Sequence, residues 1–189
     1  TKACPGRLCH KVQPPHSGRK ERKIPMRYHN ITKDDMLNGD GLRTVLWLAG
    51  CSHACPGCQN PVTWDVKGGL PFDEEAKQEL FEALAPSWIS GVTFSGGDPL
   101  HWQNRKEVGN LIEEIHEKFP EKTIWLYTGF LWEDIWDLPF LKNVDVLVDG
   151  PFVEAEKDVT LHWKGSANQR VIDVKQTLKN KNVVLYQSK

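Results

Sequence analysis

Three cysteines, Cys51, Cys55 and Cys58, stand within eight residues of this 189-residue sequence. The C-x3-C-x2-C spacing lets a single loop surround a compact inorganic group with three thiolates. Clusters that only transfer electrons are usually held by four cysteines, whereas a set of three leaves one iron without a protein ligand. An open coordination position is what a metal needs to bind a small molecule. The spacing therefore favours a [4Fe–4S] cluster with one iron available for chemistry.

Two other interpretations of the three cysteines stay open. Structural zinc requires four closed ligands, usually from two separated pairs. No second C-x2-C exists in the sequence, so His53 or the early cysteines Cys4 and Cys9 would have to complete the set. The other interpretation is three inert, buried thiols. The total of five cysteines is odd, which excludes complete pairing into disulfides, and their clustering in a chain without a recognisable export signal favours metal binding.

Composition and charge exclude several functions. Charged residues make up 26% of the sequence and hydrophobic residues 39%, and the net charge is −1. This balance is ordinary for a globular protein and gives no general attraction to nucleic acid or to anionic membranes. No apolar run approaches the ~20 residues that a membrane span needs. We therefore expect a cytoplasmic protein that binds neither nucleic acid nor membrane.

The first 25 residues differ from the rest of the sequence. They contain seven basic residues, one acidic residue and four prolines, and they show no amphipathic period. We interpret residues 1–25 as a basic flexible leader or a non-native extension, with Met26 as a natural start, and residues 26–189 as one folded domain. The alternative is an accessory metal site without familiar ligand spacing. Its ligands would be Cys4, Cys9, His10 and His16.

The elements that must position the cysteines alternate between strands and helices. Runs of branched and aromatic residues predict strands at 44–49, 92–95, 123–127 and 144–148, with a possible last strand at 183–186. Apolar residues at helical spacing predict helices near 74–85, 108–119 and 132–138. We expect Asp73 to cap the first helix. The alternation predicts an α/β fold with βαβ units and a mainly parallel sheet.

Each of the four main predicted strands runs into a glycine-bearing polar turn. In parallel α/β folds the carboxyl ends of the strands form the face that binds ligands. We therefore expect four turns to meet at one edge of the sheet. Each turn also has a purely structural interpretation, and Asp98 before Pro99 is a suitable start for a helix. The turns are Gly50 with the cysteine loop, Gly96-Gly97-Asp98, Thr128-Gly129 and Asp149-Gly150.

The cysteine spacing resembles the signature of the radical S-adenosylmethionine (SAM) superfamily. The resemblance implies a reduced partial (βα) barrel, in which the cysteine loop follows the first strand of a mainly parallel sheet. It also implies that the open iron chelates the amino and carboxylate groups of SAM, and that one electron splits the sulfonium into methionine and a 5′-deoxyadenosyl radical. The cofactor carries that chemistry, while the protein positions it and excludes water. Gly57 stands where many members of the superfamily have an aromatic residue.

The superfamily resemblance also implies which turns contact the cofactor. Gly96, Gly97 and Asp98 occupy the place of a Gly-Gly-Glu turn that holds the methionine amino group, with aspartate in place of the commoner glutamate. Thr128 and Asp149 lie where relatives contact the ribose or the carboxylate of the cofactor. Some relatives have a lysine two positions after that aspartate, where this chain has a proline.

Ordered motifs between residues 26 and 170 resemble the activating proteins of anaerobic ribonucleoside-triphosphate reductases. Cys55-Pro56-Gly57-Cys58 is the usual form in that family. The resemblance implies that residues 26–189 form a radical SAM activase domain, which abstracts a hydrogen atom from a glycine of the large reductase subunit and leaves a glycyl radical there. It also implies a low-potential electron donor such as flavodoxin. The motifs lie at 38–43, 51–64, 95–99, 125–130, 144–152 and 163–170.

Three other functions stay open from the sequence. The chain could activate another glycyl-radical enzyme, of the pyruvate formate-lyase type, by the same reaction on a different protein. A small-molecule radical enzyme, such as a 7-carboxy-7-deazaguanine synthase, would close its own pocket and turn over without a protein partner. A non-catalytic zinc or iron–sulfur module would bind metal without responding to SAM.

Overall fold

The computed structural model describes residues 25–188. Apart from Pro25, the predicted leader 1–25 lies outside the described residues, as do the four ligands of the alternative metal site. The boundary between leader and domain therefore stays a prediction.

A seven-stranded sheet with helices forms the described part of the chain. The strands are β1 (Arg27–Asp35), β2 (Arg43–Leu48), β3 (Leu70–Pro71), β4 (Gly91–Gly96), β5 (Thr123–Tyr127), β6 (Val146–Asp149) and β7 (Arg170–Asp173). The helices are α1 (Glu74–Leu84), α2 (Arg105–Lys118), α3 (Trp132–Ile135) and α4 (Val174–Asn180). Single 3₁₀ turns cover Pro61–Thr63, Pro139–Asn143 and Glu154–Glu156. Among these helices, none combines the length and the apolar character that crossing a bilayer requires.

The strand order is β3-β1-β2-β4-β5-β6-β7. The strands β2, β4, β5 and β6 are parallel to one another, while β1 and β7 pair antiparallel at the two sides of this central group. The predicted α/β class is confirmed, and the sheet is mostly parallel with antiparallel edges. Within the described residues the sheet does not close on itself, and the curvature of a partial barrel stays a prediction.

The predicted helices and strands match the structure best where the hydrophobic pattern is strong. Asp73 caps α1, since its carboxylate accepts a hydrogen bond from the backbone N–H of Ala76 at 3.0 Å. The third predicted helix is shorter than expected, because α3 ends at Ile135 and a 3₁₀ turn begins at Pro139. The possible last strand at 183–186 is only an isolated bridge between Leu185 and Ile172. The strands β1, β3 and β7 and the helix α4 were not predicted.

The core holds the carboxyl ends of the parallel strands in fixed positions. One face of the sheet packs against the helices through fully buried side chains such as Leu46, Phe94 and Ile112. The other face carries a smaller cluster built on Trp125, against which Trp163 and other partly buried aromatic residues pack. Because both faces are buried, the turns that follow β2, β4, β5 and β6 are attached to rigid strands at one edge.

Candidate functional site: a cavity lined by the cysteine loop

A cavity of about 450 Å³ lies at the carboxyl ends of the parallel strands. This volume suits a small-molecule ligand. The structure brings the predicted turns together here, with the exception of Asp149. The cavity is lined by Cys51, Cys55, Cys58, the segments 95–98 and 127–129, Gly150, and parts of the segment 152–169 that include Trp163, Lys164 and Gln169.

Backbone hydrogen bonds fix the start and the end of the cysteine loop. The loop leaves β2 through Gly50, whose φ of +104° is a conformation that side chains disfavour. The backbone N–H groups of Gly50 and Cys51 donate to the carbonyls of Thr63 and Trp64 at 2.7 and 3.1 Å. The loop is therefore attached to the 3₁₀ turn that follows it, and it is not a free surface loop.

The three thiols suit an iron–sulfur cluster as a donor set. All three cysteines are free and partly exposed, and all line the same cavity. Among residues 25–188, no three His, Cys, Asp or Glu side chains converge as ligands of one ion. A cuboidal cluster bonds each thiolate to a different iron, so its ligands need not converge on one point. Burial raises the pKa of the Cys51 thiol, and a bound cluster would have to displace that proton.

Gly57 departs from the superfamily pattern because of its local packing. Its φ is +69°, and a Cβ placed there would lie 2.5 Å from the carboxyl carbon of Glu154. A side chain at this position would be strained by the positive φ, and it would require the exposed Glu154 side chain to move. Glu154 belongs to a 3₁₀ turn that is distant in sequence, so sequence reasoning missed this contact.

Gly97 allows the second turn to pack directly on the cysteine loop. A Cβ at Gly97 would lie 2.5 Å from the carbonyl oxygen of Gly50 and 2.8 Å from that of Thr63. The backbone N–H of Asp98 donates to the same Gly50 carbonyl at 2.7 Å. The glycine turn and the cysteine loop are therefore in backbone contact, as a cofactor that bridges them would require.

Asp98 lies at the centre of the site, but it does not begin a helix. Its side chain is 1% exposed, and its carboxylate accepts hydrogen bonds from three segments. The donors are the backbone N–H of Leu100 at 2.7 Å, the Thr128 hydroxyl at 3.0 Å, the backbone N–H of Gly129 at 3.0 Å and the His53 ring at 2.6 Å. The helix α2 begins only at Arg105, so the structural interpretation of Asp98 as its cap is wrong.

Sequence reasoning missed His53 as part of this network, and considered it only as a possible zinc ligand. Its ring lies edge-on to Phe130, with 4.7 Å between the ring centroids. A Cβ at Gly129 would lie 2.5 Å from the ring, so a glycine is needed at that position. A histidine between two cysteines was the available signal, but its partners come from the β4 and β5 turns and cannot be read from local spacing.

Asp149 has a different environment from the other predicted cofactor residues. Its carboxylate is fully buried and forms an ion pair with Arg170 while accepting a hydrogen bond from the backbone N–H of Trp132 at 2.8 Å. The neighbouring Gly150 lines the cavity, whereas Asp149 does not. Direct contact between Asp149 and a cofactor stays a prediction, and this geometry does not favour it.

Comparisons with known proteins agree with this geometry. The family model described as a 4Fe-4S single cluster domain matches residues 37–172. An anaerobic ribonucleoside-triphosphate reductase-activating protein of Enterobacteria phage T4 is 45% identical over 146 residues, covering 77% of this chain and 93% of the relative. Proteins of the same name from Salmonella typhi and Escherichia coli K12 are 41% and 39% identical over 150 residues, covering 77% of this chain and 97% of each relative.

The chain belongs to the anaerobic ribonucleoside-triphosphate reductase-activating protein family. Membership confirms the family predicted from the sequence motifs, and it confirms that the chain is an enzyme of the activating type. The match to a 4Fe-4S domain supports the iron–sulfur interpretation of the three cysteines over zinc or inert thiols.

Proposed function

We propose that this chain holds a [4Fe–4S] cluster through Cys51, Cys55 and Cys58, cleaves SAM reductively, and generates a glycyl radical on the large subunit of anaerobic ribonucleoside-triphosphate reductase. The observation that carries this proposal is the cavity in which three free thiols and the Gly96–Gly97 turn face one small-molecule volume. When bound, the cluster supplies the electron that divides SAM into methionine and a 5′-deoxyadenosyl radical. Family membership supports the choice of partner.

The residues of the chain hold and orient the reactants. Three thiolates leave room for a ligand of the fourth iron, and the backbone of the Gly96–Gly97 turn lies against the cysteine loop. Tyr127 and Trp163 give the cavity an aromatic wall, which excludes water from a reactive radical. The Asn60 backbone N–H lies 3.4 Å from the Cys58 sulfur, a contact that tunes the potential of an iron–sulfur cluster.

The mouth of the cavity suits a protein substrate. Leu37 and Val159 line the cavity while remaining 81% and 86% exposed. Leu37 follows β1 and Val159 follows the Glu154–Glu156 turn, so two separate loops present apolar side chains at the mouth. Exposed apolar residues that border a cavity mark a site of interaction, and a glycine-bearing loop of the reductase is the partner we propose.

The remaining parts of the proposal follow from the family. A low-potential donor such as flavodoxin would supply the electron, and the reaction would take place in the cytoplasm. Residues 26–189 would form a radical SAM activase domain, with a sheet curved as a partial barrel. The two other enzyme functions considered from the sequence differ from this proposal in their substrates. The non-catalytic metal module differs in showing no response to SAM, which a measurement on the isolated chain tests directly.

Low-temperature electron paramagnetic resonance tests the cofactor chemistry. The full chain is reconstituted anaerobically with iron and sulfide, reduced, and measured before and after addition of SAM, and 5′-deoxyadenosine is then quantified. We expect a reduced four-iron signal that changes on addition of SAM, and a new glycyl-radical signal when the reductase large subunit is present. Cys55→Ala should abolish the stable cluster, whereas Ser52→Ala, at an exposed position of the same loop, is the matched control.

Each other outcome contradicts a defined part of the proposal. A four-iron signal that ignores SAM would indicate an electron-transfer or structural cluster. Zinc in place of iron would overturn the enzyme assignment. Cleavage of SAM with a radical on pyruvate formate-lyase, and none on the reductase, would move the chain to the other class of activases.

A further inference from the structure

We propose that Asp98 is a positioning residue, which clamps the cysteine loop through His53, and that its carboxylate does not bind the cofactor. We call the Asp98 carboxylate and the His53 ring the clamp. This inference departs from the role that the family resemblance assigns to Asp98. It rests on the proposed function for the identity of the cluster and of SAM.

The acceptor capacity of Asp98 is already used within the protein. Oδ1 accepts from the backbone N–H of Leu100 at 2.7 Å and from the Thr128 hydroxyl at 3.0 Å. Oδ2 lies 2.6 Å from His53 Nε2 and 3.0 Å from the backbone nitrogen of Gly129. An ionised carboxylate offers about four acceptor sites, so these donors occupy all of them. The ammonium group of a methionine moiety would have to displace one of them.

The clamp joins the three segments that surround the cavity. Asp98 belongs to the turn after β4, Thr128 and Gly129 belong to the turn after β5, and His53 lies between the first two cysteines of the loop after β2. The His53 Nε2 atom lies 2.6 Å from Asp98 Oδ2, which is a short hydrogen bond between two side chains that are distant in sequence.

Fixing His53 also fixes the Cys51 thiolate. His53 follows Cys51 by two residues in the same loop, so holding the His53 ring also restricts the backbone that carries the Cys51 thiol. The His53 ring is held from two further sides, by the edge of Phe130 and by the close approach of Gly129. Groups behind the direct ligands orient those ligands, and losing such a group typically lowers metal affinity or activity by about 10- to 100-fold. The clamp therefore sets the position of the first cysteine relative to the glycine turn.

Four variants of the full chain test the clamp. His53→Ala removes the hydrogen bond to Asp98, while His53→Gln keeps a donor at nearly the same reach. Gly129→Ala leaves every polar group in place but puts a methyl group where the His53 ring stands. Asp98→Asn keeps the shape of the side chain and loses acceptor capacity. His116→Ala, at an exposed position of α2, is the matched histidine control.

Two measurements are made on each variant. The first is the rate at which a chelator removes iron from the reconstituted protein without SAM. The second is the Kd for SAM, from titration of the reduced cluster signal per loaded cluster. We expect His53→Ala and Gly129→Ala to lose iron about tenfold faster and to bind SAM about tenfold more weakly. His53→Gln should recover most of both losses, and His116→Ala should match the unchanged chain.

Two results would overturn the clamp. One is that His53→Ala and Gly129→Ala both lose iron at the same rate as the unchanged chain and bind SAM with the same Kd. The other is that Asp98→Asn weakens SAM binding but loses iron at the normal rate. That result would make Asp98 a direct cofactor contact. If the unchanged chain loads iron but ignores SAM, the proposed function fails, while the iron-loss rates still decide whether the clamp exists.

Discussion

Asp98 and Asp149 both lie at the carboxyl ends of parallel strands, and both are almost completely buried, but their partners differ. Asp98 is bound by His53 and by hydroxyl and backbone donors from turns that line the cavity. Asp149 is bound by the guanidinium of Arg170, which also pairs with Glu133. The first carboxylate joins loops around a ligand volume, and the second joins α3 and β7 outside it.

The difference shows that burial and position at a strand end do not make an aspartate part of a ligand site. What decides whether such an aspartate belongs to the ligand site is which segments supply its hydrogen-bond donors. The donors of Asp98 come from the segments that would hold the cluster and SAM, whereas those of Asp149 fix the sheet edge. Hydrogen bonds to Asp149 and Glu133 raise the pKa of Arg170 above its ordinary value, so this guanidinium stays charged and its ion pairs are structural.

Removing Asp149 should have the largest effect on stability. Asp149→Ala leaves the backbone N–H of Trp132 without its buried acceptor, while Arg170 keeps its pairing with Glu133, and an unsatisfied buried polar group costs about 1–3 kcal/mol. We expect urea unfolding of the apoprotein to show a loss of that order, with iron loading and SAM affinity of the folded fraction unchanged. Asp149→Asn, which keeps the size of the side chain, separates lost charge from lost packing.

A loss of SAM affinity without a loss of stability would show that Asp149 and Asp98 do not differ in the way described above. If Asp149→Asn retained the unfolding free energy but lost SAM affinity, Asp149 would be a cofactor contact, as the superfamily resemblance implies. The pairing with Arg170 would then be a feature of the state without ligand.

Apolar residues at the cavity mouth should affect binding of the reductase and nothing else. Replacing Leu37 and Val159 together by serine removes exposed apolar contacts without touching the thiols or the glycine turn. We expect the Kd for the reductase large subunit to rise about tenfold, which corresponds to about 1.4 kcal/mol. Reductive cleavage of SAM in the absence of the partner should stay unchanged.

The control for the mouth lies on the Asp149 side of the molecule. Trp136 follows α3, is 60% exposed and does not line the cavity, so Trp136→Ser removes an exposed apolar side chain away from the mouth. If Trp136→Ser weakened the complex more than the double variant did, the reductase would dock on the Asp149 side, and the cavity mouth would lose its proposed role.

The sequence predicted the elements with a strong internal pattern and the cysteine loop, because both depend on local spacing. The helices α1 and α2 have apolar residues at helical spacing, and β5 is a continuous apolar run, and all were predicted nearly at their observed bounds. The strand β1 was missed because its sequence Arg27–Asp35 is mostly polar and becomes a strand only by pairing with β2 and β3. Strand pairing of this kind is a tertiary effect that overrides local propensity.

The candidate site was predictable as a set of turns but not as a network. The position of each turn followed from the strand before it, so the approach of Asp98 to the cysteine loop was expected. The hydrogen bonds that distinguish Asp98 from Asp149 join residues that are 17 to 45 positions apart in sequence. His53 and Arg170 are the two residues that decide these roles, and neither one carries a local signal of its partner.

Replacing Glu133 should have the smallest effect on the free energy of unfolding. The direction in which that effect changes with pH follows from the shifted pKa of the Glu133 carboxyl. The hydrogen bond from Arg170 lowers the pKa of Glu133 below its ordinary value of 4.5, so the carboxylate stabilises the folded state fully above that value. The stabilisation is lost as the pH falls through the lower pKa of the folded state. Because the side chain is 55% exposed, we expect Glu133→Gln to cost less than about 1 kcal/mol. Urea unfolding at neutral pH should show this loss, and the difference from the unchanged chain should vanish at strongly acidic pH.

Glu117→Gln, on the exposed side of α2, is the control. If the loss of stability in Glu133→Gln persisted in acid, the contact between Glu133 and Arg170 would stabilise the fold by packing and not by charge.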